Sequence, residues 1–197
     1  MKLHTILGVA LGCAALAGPV SAVQVVYVAT LSGPAEFAPN SSPGIGTAQV
    51  MVDFDLLTMH VEASFSGLLG NVTASHIHCC TAAPNTGAIG VATVTPTFTG
   101  FPSGVTSGSY DHTFDMTLAA SYNAPFLTAH GGTTAGAFAA LVAGMNNSTS
   151  YFNIHSSQFP GGEIRGFLAP IPEPQTYALM LLGLAAVGAA SRRRQPH

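Results

Sequence analysis

The chain has 197 residues, of which 7% are charged, and a formal net charge of −3. Between residues 23 and 171, Arg165 is the one basic residue against seven acidic residues, which leaves this segment at −6. Nucleic acids and anionic membrane surfaces are bound through clustered Lys and Arg, so this charge pattern excludes both as partners of the segment. A polysaccharide or a basic protein is compatible with it.

The first 22 residues have the pattern of a secretory signal peptide. Lys2 gives a positive start, residues 6–17 are apolar, and Val20-Ser21-Ala22 is a small-residue cleavage site. Glycines and a proline interrupt the apolar run, which argues against an N-terminal transmembrane helix. We expect cleavage after Ala22, leaving residues 23–170 as one domain of about 150 residues, long enough to bury a core.

Short segments with strand patterns follow, separated by clusters of Gly, Pro, Ser and Asn. The predicted strands are Val25–Leu31, Thr47–Phe54, Met59–Phe65, Val72–His78, Ile89–Val94, Tyr110–Leu118, Tyr151–His155 and Glu163–Leu168. A helical period appears before the seventh strand, with Thr133 or Thr134 as the cap and Gly144 as the stop. The pattern predicts a mainly β domain, an antiparallel Greek-key β-sandwich with one short helical insertion, and a closed barrel is the competing architecture.

Three histidines on two of these strands are candidate metal ligands. His76 and His78 are two residues apart, so their imidazoles share one strand face with Cα atoms roughly 6.5–7 Å apart. Asn153 and His155 repeat this spacing, and three imidazoles converge if the two strands are neighbours. Three histidines with an open fourth position suit zinc, and imidazole also suits copper. The alternative is that these side chains only hydrogen-bond across the sheet.

The mature segment contains two cysteines, Cys79 and Cys80, which directly follow the histidine pair. A vicinal disulfide would stiffen the loop that leads to Pro84. The two sulfurs would otherwise add soft ligands to the histidines and favour Cu(I) or Zn. A third interpretation is two packed thiols, which an oxidising exterior disfavours. We expect the disulfide.

Glu163 and Arg165 form the other candidate cluster. They are two residues apart on one predicted strand and therefore share a face, and Arg165 is the only cation of the domain. A guanidinium offers up to five donors, enough to hold several backbone carbonyls. We expect a partly buried structural ion pair between Glu163 and Arg165, in preference to a ligand-recognition site.

The C-terminal 27 residues, 171–197, form a segment of their own. Pro172-Glu173-Pro174 precedes an apolar run over residues 176–190, and Arg192-Arg193-Arg194 ends it. The run predicts a transmembrane helix of roughly 22 Å, shorter than the ~30 Å hydrocarbon core, with the arginines on the cytoplasmic side. The order of these pieces resembles the bacterial PEP-CTERM sorting signal. That resemblance implies cleavage near the tripeptide by an exosortase-type membrane protease.

The domain between the two ends resembles the CHRD domain over residues 28–168. The residues that carry the resemblance are ATLSG at 29–33, FSGL at 65–68, SHIHCC at 75–80, YFNIH at 151–155 and FPGGEIRG at 159–166. The resemblance implies an extracellular β-rich module. In this chain Cys79-Cys80 stands where many members have a Gly-Pro turn.

Together these features predict an exported bacterial protein, held transiently in the inner membrane by its C-terminal helix and then located in the envelope, at the outer surface or outside the cell. We expect a non-enzymatic binding or structural role, with extracellular polysaccharide or surface proteins as partners. The alternative function is an extracytoplasmic metalloprotein that binds copper or zinc through His76, His78 and His155.

Overall fold

The computed structural model describes residues 24–171, 181–185 and 187. The predicted signal peptide lies outside these residues, as do Pro172, Glu173 and Pro174 of the sorting tripeptide and the arginines Arg192, Arg193 and Arg194. Residues 181–185 and 187 are helical and exposed. Among the described residues, no helix has the length and apolar character needed to cross a membrane.

In the described part of the chain, eight strands form a single antiparallel sheet. They are β1 (Gln24–Ser32), β2 (Ile45–Asp53), β3 (Thr58–Ser66), β4 (Val72–His78), β5 (Gly108–Asp115), β6 (Tyr151–Ser156), β7 (Ile164–Phe167) and β8 (Ala169–Pro170). The order across the sheet is β4-β6-β7-β1-β2-β3-β5, and β8 pairs with β1. The mainly β antiparallel class is as predicted. The structure has one sheet curled into a half-barrel, however, where the prediction had the two packed sheets of a sandwich.

The inner face of the curled sheet carries the core. Alternate side chains of the strands, such as Tyr27, Val50 and Val61, are fully buried there, as expected for residues that share one face of a pleated sheet. Phe98, on the segment after β4, lies in the middle of this core with its ring centroid 5.2 Å from that of Phe114 and 5.7 Å from that of Phe152. This aromatic packing joins strands from opposite ends of the sheet.

Two helices connect β5 to β6: α1 (Ala124–Ala129) and α2 (Thr134–Asn146). The Thr133 side chain accepts a hydrogen bond from the Gly136 N–H, so the predicted cap is confirmed. The helix α2 ends two residues beyond the predicted stop, and Asn146 there accepts a hydrogen bond of 2.8 Å from the Tyr27 hydroxyl. The sequence pattern did not predict α1.

The segment predicted as a strand over Ile89–Val94 is not one. It follows the free edge of β4 and forms only isolated bridges, His78 with Val91 and Thr93 with Tyr122. The Thr93 hydroxyl accepts a hydrogen bond of 3.0 Å from the Ile77 N–H, so a side-chain oxygen replaces the backbone carbonyl that a neighbouring strand would supply. Alternation in the sequence shows which residues are buried, but it does not show whether backbone or side-chain groups meet the neighbouring edge.

Candidate metal site

The three predicted histidines lie on the sheet face opposite the core. Strand β4 pairs with β6 in antiparallel register, which places His78 opposite Tyr151, His76 opposite Asn153 and Ala74 opposite His155. The intervening residue Ile77 points into the core and is fully buried, so the histidines point the other way. Loops cover this outer face, and His76 and His78 are only 6% and 8% exposed.

The ring nitrogens of the three imidazoles converge. His76 Nε2 and His155 Nε2 are 2.9 Å apart, and one ring nitrogen from each of His76, His78 and His155 lies within 4.8 Å of the other two. The sequence placed these residues on one face, and the adjacency of β4 and β6 brings them together. Two cysteines that follow directly in the chain do not belong to this group.

Each imidazole is held from behind by a backbone carbonyl. The Nδ1 atoms of His76, His78 and His155 lie 3.2, 2.7 and 2.8 Å from the carbonyl oxygens of Pro96, Ile89 and Pro160 respectively. A carbonyl oxygen only accepts, so each Nδ1 carries the hydrogen and each Nε2 presents a lone pair. Metal-bound histidines are typically oriented by this kind of partner on the second ring nitrogen.

The pKa values of all three histidines are shifted toward the neutral form. Burial, with smaller contributions from the neighbouring histidines, lowers the pKa of His76 to about 3. Burial also lowers the pKa of His78 to about 4, and the charge of Arg165 adds to that shift. The pKa of His155 is lowered by burial as well. At neutral pH the three rings are therefore uncharged, which is the form that binds metals.

One of the three Nε2 atoms has no hydrogen-bond partner within the described ranges, and the other two meet each other. His78 Nε2 is buried without a hydrogen-bond partner among the described residues, and the Nε2 atoms of His76 and His155 face one another across 2.9 Å. Metal–nitrogen bonds of roughly 2.0–2.1 Å place neighbouring ligand atoms about 3.3–3.6 Å apart. A small opening of the His76–His155 pair would therefore admit a copper or zinc ion.

Behind the histidines, Tyr151 and Arg165 form a stacked second layer. The Tyr151 ring stacks on His78 at a centroid distance of 4.6 Å and an interplanar angle of 9°, and the Arg165 guanidinium lies 4.6 Å from the centroid of the same tyrosine ring. Arg165 donates to the carbonyls of Ala35 at 2.6 Å and Gly87 at 2.8 Å. It thereby fastens two covering loops to the sheet, in agreement with the organising role expected from its five donors.

The expected ion pair between Glu163 and Arg165 is wrong, because Arg165 pairs with Glu36 at 3.8 Å. Glu36 also accepts a hydrogen bond of 2.6 Å from the Asn153 amide. Burial raises the pKa of Glu36 to about 7, against the opposing effects of Arg165 and Asn153. Glu36 lies in the loop after β1, where no periodicity marks it, and an acid within the apolar run Pro34-Ala35-Glu36-Phe37-Ala38 was its only sequence signal.

Glu163 has a different structural role. Its carboxylate accepts hydrogen bonds from the Ser42 hydroxyl at 2.6 Å and from the N–H groups of Leu69 at 2.5 Å and Gly70 at 3.2 Å. Burial works against ionisation, but a hydrogen bond from the Ser156 side chain and these three outweigh it and lower the pKa of Glu163. Strand β7 begins at Ile164, after a turn in which Gly162 has φ +129°, so the alternation assumed for Glu163 does not apply to it.

The sulfurs of Cys79 and Cys80 are joined in a vicinal disulfide, and disulfide sulfurs are not thiolate ligands. They pack on α2, at 3.8 and 3.5 Å from the carbonyl oxygen of Ala140. A Cβ added at Gly144 would overlap both sulfurs and the Ser150 hydroxyl. The disulfide therefore depends on a glycine at this helix position.

A second group of metal-ligand type lies on the exposed outer face of β3 and β5. His60 Nε2 is 2.9 Å from Asp111 Oδ1, and Glu62 is close to both. The sequence did not reveal this contact because it depends on the pairing of β3 with β5. Exposed groups of this kind contribute little to stability, and the buried triad is the better-built site.

The geometry defines a class of protein first: a mainly β domain with three neutral imidazoles, two of them buried and one half-buried, on the outer face of its sheet. The model of the CHRD domain matches residues 27–168, and the chain belongs to the CHRD domain family. The PEP-CTERM protein-sorting motif matches residues 170–194, which makes the chain an exported cell-surface protein sorted by exosortase. No curated protein and no solved structure matches the chain.

Proposed function

We propose that this CHRD domain is a metal-binding module displayed at the bacterial cell surface, with His76, His78 and His155 as the ligands of a copper or zinc ion. Of the two functions predicted from the sequence, the geometry favours this one over a purely structural role. The observation that carries it is the convergence of one ring nitrogen from each of three histidines, each ring held by a backbone carbonyl at Nδ1. The proposed role is binding, not catalysis.

A structural role for the histidines accounts for less of the geometry. Histidines that only stabilise a sheet would use both ring nitrogens in hydrogen bonds, since an unsatisfied buried nitrogen costs about 1–3 kcal/mol. His78 Nε2 has no such partner in the described part of the chain. A bound cation would use this lone pair and would replace the direct contact between the Nε2 atoms of His76 and His155.

Elemental analysis tests the proposal. The exported protein is recovered from cells that express the full chain and is purified without chelators, beside a His76→Ala/His78→Ala double variant and a His130→Ala control outside the cluster. We expect one copper or zinc ion per chain in the wild type and in the control, and none in a double variant with an unchanged circular dichroism spectrum. Metal retained by the double variant, or no uptake by folded wild type after incubation with copper and zinc salts, would refute the proposal.

Sorting and localisation complete the proposed role. We infer that the protease cleaves near Pro172-Glu173-Pro174, that residues 176–190 hold the precursor in the inner membrane until then, and that the domain ends in the envelope or is released. The sorting-motif match over residues 170–194 supports this order of events. Mass spectrometry of the mature C-terminus in cells with and without exosortase tests the cleavage position.

A second candidate function is contact with a neutral extracellular polysaccharide. A groove of about 570 Å³ runs along the outer face of β1, β2 and β3. Hydroxyl and amide groups of Thr30, Thr47, Gln49 and Ser64 line it together with the Glu62 carboxylate, and Phe167 adds an apolar wall. Sugar rings combine hydroxyls with apolar faces, and the lining contains no cation that would select an anionic polymer.

Co-sedimentation with the purified exopolysaccharide of the producing strain tests this second candidate. We expect the wild type to sediment with the polymer and a Thr47→Val/Ser64→Val variant to remain in the supernatant. Thr47 and Ser64 contact each other on the exposed face through their hydroxyls at 3.0 Å, so the exchange leaves the core intact. Equal sedimentation of both proteins would show that the groove is not the contact surface.

A further inference from the structure

We propose that the ion held by His76, His78 and His155 is monovalent copper, bound as Cu(I) by three nitrogens. This inference rests on the proposed metal-binding function and specifies the ion. Zinc and both oxidation states of copper accept imidazole ligands, so the ligand type alone does not decide among them. The charges around the triad and the number of available donors do.

The charge balance disfavours a divalent ion. All three ligands are neutral imidazoles, and no carboxylate or thiolate joins them within the described part of the chain. The cost of burying an ion grows with the square of its charge, so a dication costs roughly four times as much as a monocation at the same site. Sites for divalent ions commonly offset this cost with anionic ligands, and the triad offers none.

Arg165 makes the balance less favourable still for a dication. Its positive charge acts on His78 through the stacked Tyr151 ring. Glu36 is the acidic group paired with Arg165, at 3.8 Å, and it is directed toward Arg165 and Asn153. A monovalent ion adds one charge to this environment, whereas Zn²⁺ or Cu²⁺ adds two.

The number of donors points the same way. Zinc in proteins is almost always four-coordinate, with water in the fourth position of a three-histidine site, whereas Cu(I) is stable with two or three ligands. Tyr151 stacks on His78, but its hydroxyl already hydrogen-bonds to the backbone of Ile89 at 3.3 Å. The covering loops leave His76 and His78 nearly inaccessible and His155 half-buried, which narrows the room for a coordinated water.

Competition experiments test the assignment. The exported full-length protein is stripped of metal and titrated anaerobically with Cu(I) against bicinchoninate, and separately with Zn²⁺ against a chromogenic zinc chelator. We expect Cu(I) to bind at least 1,000-fold more tightly than Zn²⁺. We also expect X-ray absorption at the copper edge to show three nitrogen neighbours at about 2.0 Å and no fourth ligand.

Two variants accompany the titrations. His155→Ala removes one of the three donors, and we expect its Cu(I) affinity to fall at least 100-fold, whereas His130→Ala, outside the cluster, should bind as the wild type does. If His155→Ala fails to fold, His155→Gln serves in its place. The X-ray absorption spectrum of the wild type tests the number of ligands even if neither variant folds.

The outcomes separate this inference from the proposed function. Tighter binding of Zn²⁺ than of Cu(I), or a four-coordinate copper spectrum, would overturn the Cu(I) assignment and leave the metal site standing. Absence of any binding by folded wild type would remove both. Tight Cu(I) binding that survives in folded His155→Ala would show that the ion lies elsewhere and would also overturn the inference.

Discussion

Replacement of Arg165 by methionine should destabilise the domain severely, because Met retains much of the volume while removing the charge and all donors. Two charge-assisted hydrogen bonds, to Ala35 and Gly87, are lost, each worth about 1.5–3 kcal/mol. Glu36 also remains buried without its partner. Removal of one member of a buried pair costs about 3–5 kcal/mol, so we expect a loss of that size in the free energy of unfolding. Whole domains are stable by only about 5–15 kcal/mol.

The loss should depend on pH with a definite sign. Burial already raises the pKa of Glu36 to about 7, and Arg165 opposes that rise. Without Arg165 the carboxyl group is neutral over a wider range. Because a carboxyl group with a raised pKa in the folded state loses stabilisation as pH rises through that value, the deficit of Arg165→Met should be larger at pH 8 than at pH 5. A Glu36→Gln/Arg165→Met double variant should recover part of the loss and show less pH dependence.

Urea denaturation of the exported protein at pH 5 and pH 8 measures these differences. Arg165→Lys is the matched control: it keeps the charge but cannot span both carbonyls, so its loss should lie between those of the wild type and Arg165→Met. The reasoning fails if Arg165→Met costs less than about 1 kcal/mol. It also fails if the deficit is the same at both pH values and the double variant is no more stable than the single one.

Three further exchanges test other parts of the structure by the same denaturation assay. Gly144→Ala should lower the free energy of unfolding by about 1–3 kcal/mol, because the overlap with the disulfide outweighs a gain of roughly 1 kcal/mol in helix propensity. The control Gly161→Ala places its methyl group in open space and should be nearly neutral. Equal effects of the two exchanges would refute the packing argument. Glu163→Gln should lower the free energy of unfolding by about 2–4 kcal/mol at pH 7 and by much less at low pH. The reason is that a carboxylate with a lowered pKa loses its stabilising effect as the pH falls through that pKa. A deficit that does not change with pH would contradict this. His60→Ala should cost less than about 1 kcal/mol, since its contact with Asp111 is exposed; a larger loss would mean that the pair has a role beyond the surface.

Much of the local structure was predictable from the sequence. The strand β4 has the predicted bounds, Val72–His78, and the cap of α2 is at one of the two threonines expected. Both signals are local, since alternation and caps depend on neighbouring residues. Arrangement of the strands in one curled sheet was not predictable in this way, because strand order depends on contacts between distant parts of the chain.

In the candidate site, too, the local features were predictable from the sequence and the contacts between distant residues were not. The spacing of His76 and His78 fixes a shared face, which a single strand determines. The partner of Arg165 was predicted wrongly because Glu36 is 129 residues away in sequence and lies in a loop without periodicity. The carbonyls that orient the three imidazoles belong to irregular segments, and no side-chain pattern in a sequence reports where a backbone oxygen points.

The triad is divided between two strands that are adjacent in the sheet but far apart in the chain. His155 follows His76 by 79 residues, and both helices lie between them. The three imidazoles therefore meet only when β6 pairs with β4, a closure between distant parts of the chain that costs entropy, and the proposed ion would stabilise the folded domain. If the proposed ion binds as the exported domain folds, it would be drawn from the extracytoplasmic metal supply, so the composition of the surroundings would determine how much of the protein matures.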